Sequence, residues 1–74
     1  MPNTATTLSQ ITVNGARRPR AGVGCVSDLV AELALDPRMV AIERNGAIVP
    51  RSAYATTPIM DGDAIEIVRF IGGG

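Results

Sequence analysis

The chain has 74 residues, 46% of them apolar and 19% charged, with seven arginines set against seven acids and neither lysine nor histidine. That length gives one small domain that buries about 60% of its unfolded surface, and the charge balance supplies no pull toward nucleic acid or a membrane surface. Without an imidazole, a self-sufficient acid–base or Ser-His-type site is not available near neutral pH, and a lone cysteine, Cys25, excludes an internal disulfide.

Residues 1–7 read as a loose polar extension. They have neither the basic start nor the apolar stretch of a secretory signal. No apolar run approaches the roughly 20 residues that cross a bilayer, so a cytoplasmic domain is expected, consistent with a single reduced cysteine.

The domain proper is expected over residues 8–71. Leu8 to Val13 has strand character, with Ile11 and Val13 at period two. Asn14-Gly15 follows, a hairpin signal because both residue types tolerate positive φ. The return, Ala16 to about Gly22, is polar and contains Pro19, which places it at a sheet edge. Its Arg17-Arg18-Pro19-Arg20 cluster suits a solvated edge that resists pairing with other chains. Val26, Leu29, Val30 and Leu33 then follow helical i, i+3, i+4, i+7 spacing. Asp28 and Glu32 stand early in that helix, where negative charge complements the dipole. Either Ser27 caps it, or a start at Cys25 puts Asp28 at the third helical position. It should close near Asp36, because the residue before Pro37 resists helical geometry. A second strand pair, Met39–Arg44 and Ala47–Val49, is turned by Asn45-Gly46 and stopped by Pro50. Residues 51–63 form a long connection ending in an Asp61-Gly62-Asp63 turn. The last strand, Ala64 to Ile71, puts Ile65 and Ile67 on one face and Glu66, Val68 and Phe70 on the other. The order is β-β-α-β-β-loop-β, an α+β domain.

The strand runs directly into Gly72-Gly73-Gly74. Three extended residues reach on the order of 10 Å, and without Cβ atoms they can enter a channel too narrow for other residues. The expectation is a working tail at 72–74 whose terminal carboxylate is activated by a partner. Val68 and Phe70, if outward, form an apolar docking patch beside it, with Phe70 the leading anchor and Ile71 either core or surface. Two other candidates take structural readings. Cys25 at a helix start has the location of an activated thiol but lacks a base, and it reads as a small half-buried hydrophobe. Asp61 and Asp63 fall far short of the oxygen ligands of a calcium site. They read as a turn.

Ile11-Thr12-Val13-Asn14-Gly15, Glu43-Arg44-Asn45-Gly46, Val49-Pro50-Arg51-Ser52, Asp61-Gly62-Asp63 and Ile65-Glu66-Ile67-Val68, leading to Phe70-Ile71-Gly72-Gly73-Gly74, together resemble the ThiS family of bacterial sulfur carriers in thiamin biosynthesis. The resemblance implies a ubiquitin-like β-grasp, a mixed sheet of about five strands on one helix with the last strand central and a flexible glycine tail. It implies a non-enzymatic carrier with no cofactor or metal of its own. An adenylating enzyme would use ATP and magnesium to activate Gly74, and a cysteine desulfurase system would supply sulfur to form a thiocarboxylate. Thiazole synthase would receive that sulfur. Gly72 and Gly73 would enter the partners' active sites, and Val68, Phe70 and Ile71 would dock. On the same fold stand carriers of molybdopterin or cysteine synthesis, a ubiquitin-like protein modifier, and a plain interaction module. No nucleic acid and no membrane enter any of these readings.

Overall fold

Asn14-Gly15 and Asn45-Gly46 both turn through positive φ, at 51° and 84° in the first and 52° and 85° in the second. Two left-handed residues in succession match the twist of the strands they join. In the computed structural model, which describes residues 9–71, the first turn links β1 (Gln10–Val13) to β2 (Ala16–Pro19), and the second links β3 (Val40–Arg44) to β4 (Ala47–Val49). The expected extension 1–7, a strand start at Leu8 and the tail Gly72–Gly74 lie outside the described residues.

β5 (Ala64–Arg69) is inserted between the hairpins, giving the order β2-β1-β5-β3-β4. It runs parallel to β1, with Thr12 opposite Ala64 and Val13 opposite Ile65. Against β3 it is antiparallel from Val40–Arg69 through Arg44–Ile65. The mixed sheet and the central last strand are those of the β-grasp. β2, with its proline, is an edge as expected, but it stops at Pro19 and not near Gly22. There the chain turns, with Val23 N–H donating to Arg20 O at 2.9 Å and Gly22 at φ 82°. Glycine supplies that conformation at no steric cost.

The helix, α1 (Val26–Glu32), starts from Cys25 in extended geometry, so Ser27 lies inside it and is not the cap. Asp28 reaches back, accepting from Gly24 N–H at 2.9 Å and Cys25 N–H at 3.2 Å. The first helical donors are used as well. Val26 N–H donates to Thr57 O and Ser27 N–H to Tyr54 O, at 3.0 and 2.9 Å. The long 51–63 connection is therefore bolted to the start of the helix, and it completes hydrogen bonds a helix end otherwise leaves open.

α1 ends earlier than Pro37 requires. Ala34 adopts φ 57°; its N–H donates to Ala31 O, and Leu35 N–H reaches Val30 O, both at 3.0 Å. That pair of bonds is a Schellman ending, with alanine where glycine is usual. Asp36 then caps a 3-10 turn, Pro37–Met39, through Arg38 N–H at 2.9 Å, so β3 begins at Val40 and not at Met39. β5 likewise stops at Arg69, short of the expected Ile71.

The core lies between α1 and one face of the sheet. Val26, Leu29 and Val30 meet Ile11, Val40, Ile42, Val49, Ile65 and Ile67, while Val23, Tyr54 and Ile59 close the sides. Each such side chain contributes about 1.5–3 kcal/mol on full burial. Among the described residues one charged side chain is buried, that of Asp63. Its Oδ2 accepts from Arg44 Nε at 2.6 Å and Met60 N–H at 2.7 Å, and its Oδ1 from Asn45 Nδ2 at 2.9 Å. The carboxylate thus ties the β3–β4 turn to the start of β5.

Two stability changes follow. A left-handed alanine costs about 1–2 kcal/mol and glycine loses about 0.5–1 kcal/mol of chain entropy, so Ala34→Gly should stabilise the domain by about 0.5–1 kcal/mol, read as a higher urea midpoint. For Asp63, burial works to raise the carboxyl, but the Arg44 guanidinium, the Met60 N–H and the Asn45 amide outweigh it and the net shift is downward. A lowered folded pKa contributes stability that is complete above the unfolded value of about 3.9 and is lost as pH falls through the folded one. Asp63→Asn should cost about 1–3 kcal/mol at pH 7, and the gap in urea midpoint should begin to close as pH falls below about 4 and disappear once the lowered folded pKa is passed. A gap constant down to strong acid would show that charge is not what Asp63 contributes.

Candidate functional site

The sheet face away from α1 has no covering element among the described residues. Alternation along β5 puts Glu66 and Val68 on it, and Val68 is 59% exposed. Phe70, beyond the end of the strand, keeps the alternation because its N–H still donates to Met39 O at 2.8 Å. It is 52% exposed, and Ile71 is 95% exposed. The three expected docking residues therefore all stand at the surface. For Ile71, open in the sequence between core and surface, the structure selects the surface.

Register adds neighbours that the sequence reading did not single out. Ala41 lies opposite Val68, and Glu43 lies between Glu66 on one side and Ile48 on the other. Ile48 is 76% exposed, and Met39, opposite Phe70, is partly so. The open face thus grades from an apolar end, Met39, Phe70, Val68 and Ala41, to an acidic row, Glu43 and Glu66. Like charges directly opposite one another on a sheet are unfavourable. Among the described residues, the ion pairs formed are Arg18–Glu32, Arg38–Asp36 and Arg44–Asp63, so no arginine relieves the two glutamates. The row could have been found only by setting β3 against β5, and that register depends on β5 entering between two hairpins.

At the root of the exposed end, Asn14 makes two bonds to β5. Its Oδ1 accepts from Ile67 N–H at 2.7 Å and its Nδ2 donates to Ile67 O at 3.1 Å. The turn signal at Asn14-Gly15 was read for its backbone alone, so this grip was missed.

The remaining candidates settle elsewhere. Cys25 is half-buried, pairs across an isolated bridge with Pro58 and caps α1. Asp61 accepts from Gln10 N–H at 2.7 Å and Gly62 turns at φ 87°, so the Asp-Gly-Asp segment is a turn fastened to β1. In the basic cluster, Arg18 pairs with Glu32 at 2.6 Å and Arg20 donates to Ser9 Oγ at 2.9 Å, so two of its arginines bind within the fold. Among the described residues no three His, Cys, Asp or Glu side chains gather to hold a metal ion, and no helix is long and apolar enough to cross a membrane. A depression of about 280 Å³ beside α1, lined by Val30, Leu35, Pro37 and Tyr54, falls below the roughly 300–1,000 Å³ of small-molecule sites. The arrangement is suited to contact with a macromolecule beside a strand end.

A family model described as the ThiS family matches residues 11–74. A protein from Bacillus subtilis named sulfur carrier protein ThiS is 41% identical over 51 residues, which cover 69% of this chain and 77% of that one. A thiazole synthase from Paramagnetospirillum magneticum is 48% identical over 65 residues, 88% of this chain but 20% of that protein. The crystal structure of a thiamine biosynthesis protein (ThiS) from Geobacter metallireducens superposes with a TM-score of 0.73 at 35% identity, covering 88% of this chain and 99% of that one.

Proposed function

This chain belongs to the ThiS family, and on that premise we propose that it is a sulfur carrier of thiamine biosynthesis whose Gly74 carboxylate is the loaded group. A carboxylate resists nucleophiles because its charge is delocalised and its leaving group would be oxide. Attack of the Gly74 carboxylate on ATP, with magnesium held by an adenylating partner, releases pyrophosphate and makes a mixed anhydride with AMP. Persulfide sulfur relayed from cysteine by a desulfurase system attacks the anhydride and displaces AMP, giving an acyl disulfide. A thiol then attacks its S–S bond, is itself taken into a disulfide, and releases a thiocarboxylate, a soft nucleophile that delivers sulfur without releasing free sulfide. Thiazole synthase consumes it.

The observation that carries this reading is the family match, which runs through Gly72-Gly73-Gly74, beside a central strand whose last apolar side chains stand exposed. Thiazole synthase as the acceptor is supported by a relative of that name containing a segment 48% identical to this chain. The chain contributes an acyl end and a docking face and is not itself an enzyme. ATP, magnesium and acid–base groups belong to its partners, and the reading places the carrier in the cytoplasm, where ATP and reduced sulfur are available. Val68, Phe70 and Ile71 dock against the partner. The uncompensated Glu43–Glu66 row calls for a cationic surface next to that contact, since opposite charge across an interface fixes register and speeds encounter.

Incubation with the adenylating partner, ATP, magnesium, cysteine and a desulfurase should replace one C-terminal oxygen by sulfur, read by intact mass. Deleting Gly74 should abolish that change and leave the urea midpoint where it was; charging of the shortened chain would overturn the reading. Phe70→Ala should weaken binding to the adenylating partner by about 1–2 kcal/mol, while folding stability moves by no more than about 0.5 kcal/mol. Titration calorimetry and urea unfolding separate the two, and the opposite ranking would make Phe70 a core residue.

A further inference from the structure

β1 is too short to accompany β5 to its end. Its pairing covers Thr12–Ala64 and Val13–Ile65, with Thr12 N–H donating to Asp63 O at 3.0 Å and Asn14 N–H to Ile65 O at 2.9 Å. The next place on that edge of β5 belongs to Ile67, but the β1 chain reverses at Asn14-Gly15. The Asn14 side chain fills the gap, giving Ile67 O a donor and Ile67 N–H an acceptor. A primary amide offers the same two functions as a peptide group, so β5 is met there as if by one more residue of strand.

We propose that Asn14 is a positioning residue for the tail: its amide fixes the direction in which β5 hands its end to Gly72–Gly74. The proposal rests on the reading that those glycines are delivered into a partner's active site. Peptide groups of successive strand residues point to alternate edges. Those of Ile65, Ile67 and Arg69 face β1, and those of Glu66, Val68 and Phe70 face β3. Past Ile67 the pairing continues on the β3 side alone, through Val40–Arg69 and Phe70 N–H to Met39 O. Among the described residues, Asn14 is therefore the last tether on the β1 edge. A strand held along one edge can swing about it, whereas one held on both up to Ile67 leaves the sheet along a fixed line.

The other Asn-Gly turn supplies an internal control. Asn45 Oδ1 accepts from Ala64 N–H at 2.9 Å while its Nδ2 donates to Asp63 Oδ1, a side-chain grip of a different kind at the opposite end of β5. Asn14→Gly keeps the left-handed turn, which glycine adopts readily, and removes the amide. Asn45→Gly likewise keeps its turn and removes an amide at the far end, taking with it a bond to Asp63, so it reports what loss of stability alone does. Three readouts apply to the whole chain: amide exchange at Ile67, backbone order parameters at Arg69 to Ile71, and the kcat/KM of charging by the adenylating partner at a temperature where all variants are folded.

Asn14→Gly should lose protection at Ile67, lower the order parameters at Arg69 to Ile71, and cut kcat/KM by about 10-fold to 10²-fold, the scale on which misplacement by an ångström acts. Asn45→Gly, matched for loss of urea midpoint, should leave the order parameters and charging unchanged. If Asn14→Gly does not fold, Asn14→Asp takes its place. That variant retains the acceptor for Ile67 N–H but opposes a carboxylate to Ile67 O, and it should show the same pattern in smaller measure. Equal charging by the Asn14 and Asn45 variants, or unchanged order at Arg69 to Ile71, would overturn the proposal and make Asn14 an ordinary structural residue. If the wild type is not charged at all, the sulfur-carrier reading fails instead, and the exchange and order parameters still decide whether Asn14 fixes the strand end.

Discussion

β5 is gripped from both sides, by a parallel neighbour and an antiparallel one, and the rest of the molecule is organised around that arrangement. The strand is the last of the described elements in chain order and the most enclosed, so the sheet is closed by a segment that must find two partners distant in sequence. Its inward residues, Ile65 and Ile67, lie at the centre of the core under α1. Its start is fixed by Asp63, which draws Arg44, Asn45 and Met60 onto one carboxylate. Only its end is left outside, and the end is where the glycines are attached. Anchoring at the base and exposure of Phe70 and Ile71 past the last strand residue are consequences of one topology.

The same sheet has two faces with opposite economies. Beneath α1, the central inward positions Ile11, Ile42, Ile65 and Ile67 are apolar and buried, while Arg18 and Arg44 take inward places at the rim, opposite Ile11 and Ile65. On the open face, Val68, Phe70 and Ile48 remain exposed, and Glu43 faces Glu66 with neither in an ion pair among the described residues. Neither feature helps an isolated domain: apolar exposure forgoes burial, and opposed like charges cost a few tenths of a kcal/mol or more. A face that spends stability in two ways at once, beside the strand end, has the properties of a surface completed by another molecule.

Much of this was legible in the sequence because it depends on local physics. The two Asn-Gly turns, the period-two strands, the edge position of Pro19 and the inward set Val26, Leu29, Val30 follow from steric rules that act within a few residues. What was not legible depends on partners distant in the chain or on a residue doing something untypical of it. The end of α1 at Ala34 was hidden because alanine is a poor left-handed residue; the tertiary packing of Leu35 and the two carbonyls it and Ala34 satisfy hold it there. Asp63 read as one of two turn acids, since nothing local indicates that Arg44 and Asn45 converge on it. The glutamate row and the Asn14 grip required the register of β5 against both hairpins. Of the site itself, Val68 and Phe70 were visible from alternation, whereas Glu43, Met39 and Ile48 became visible only with the sheet assembled.

The fold also determines where chemistry cannot arise. A helix start is the usual place for a small domain to bind an anion or lower a thiol pKa. Here its donors are already taken: Thr57 O and Tyr54 O accept from the first two helical amides, and Asp28 accepts from the two amides before them. That leaves Cys25 as a cap in a closed network. Histidine and lysine are absent, and the arginines at positions 18, 38 and 44 are engaged in ion pairs. The described domain thus neutralises its own reactive positions by hydrogen bonding while holding one strand end in place. What the described residues leave open is the end of β5, where Val68, Phe70 and Ile71 stand exposed beside the uncovered face of the sheet.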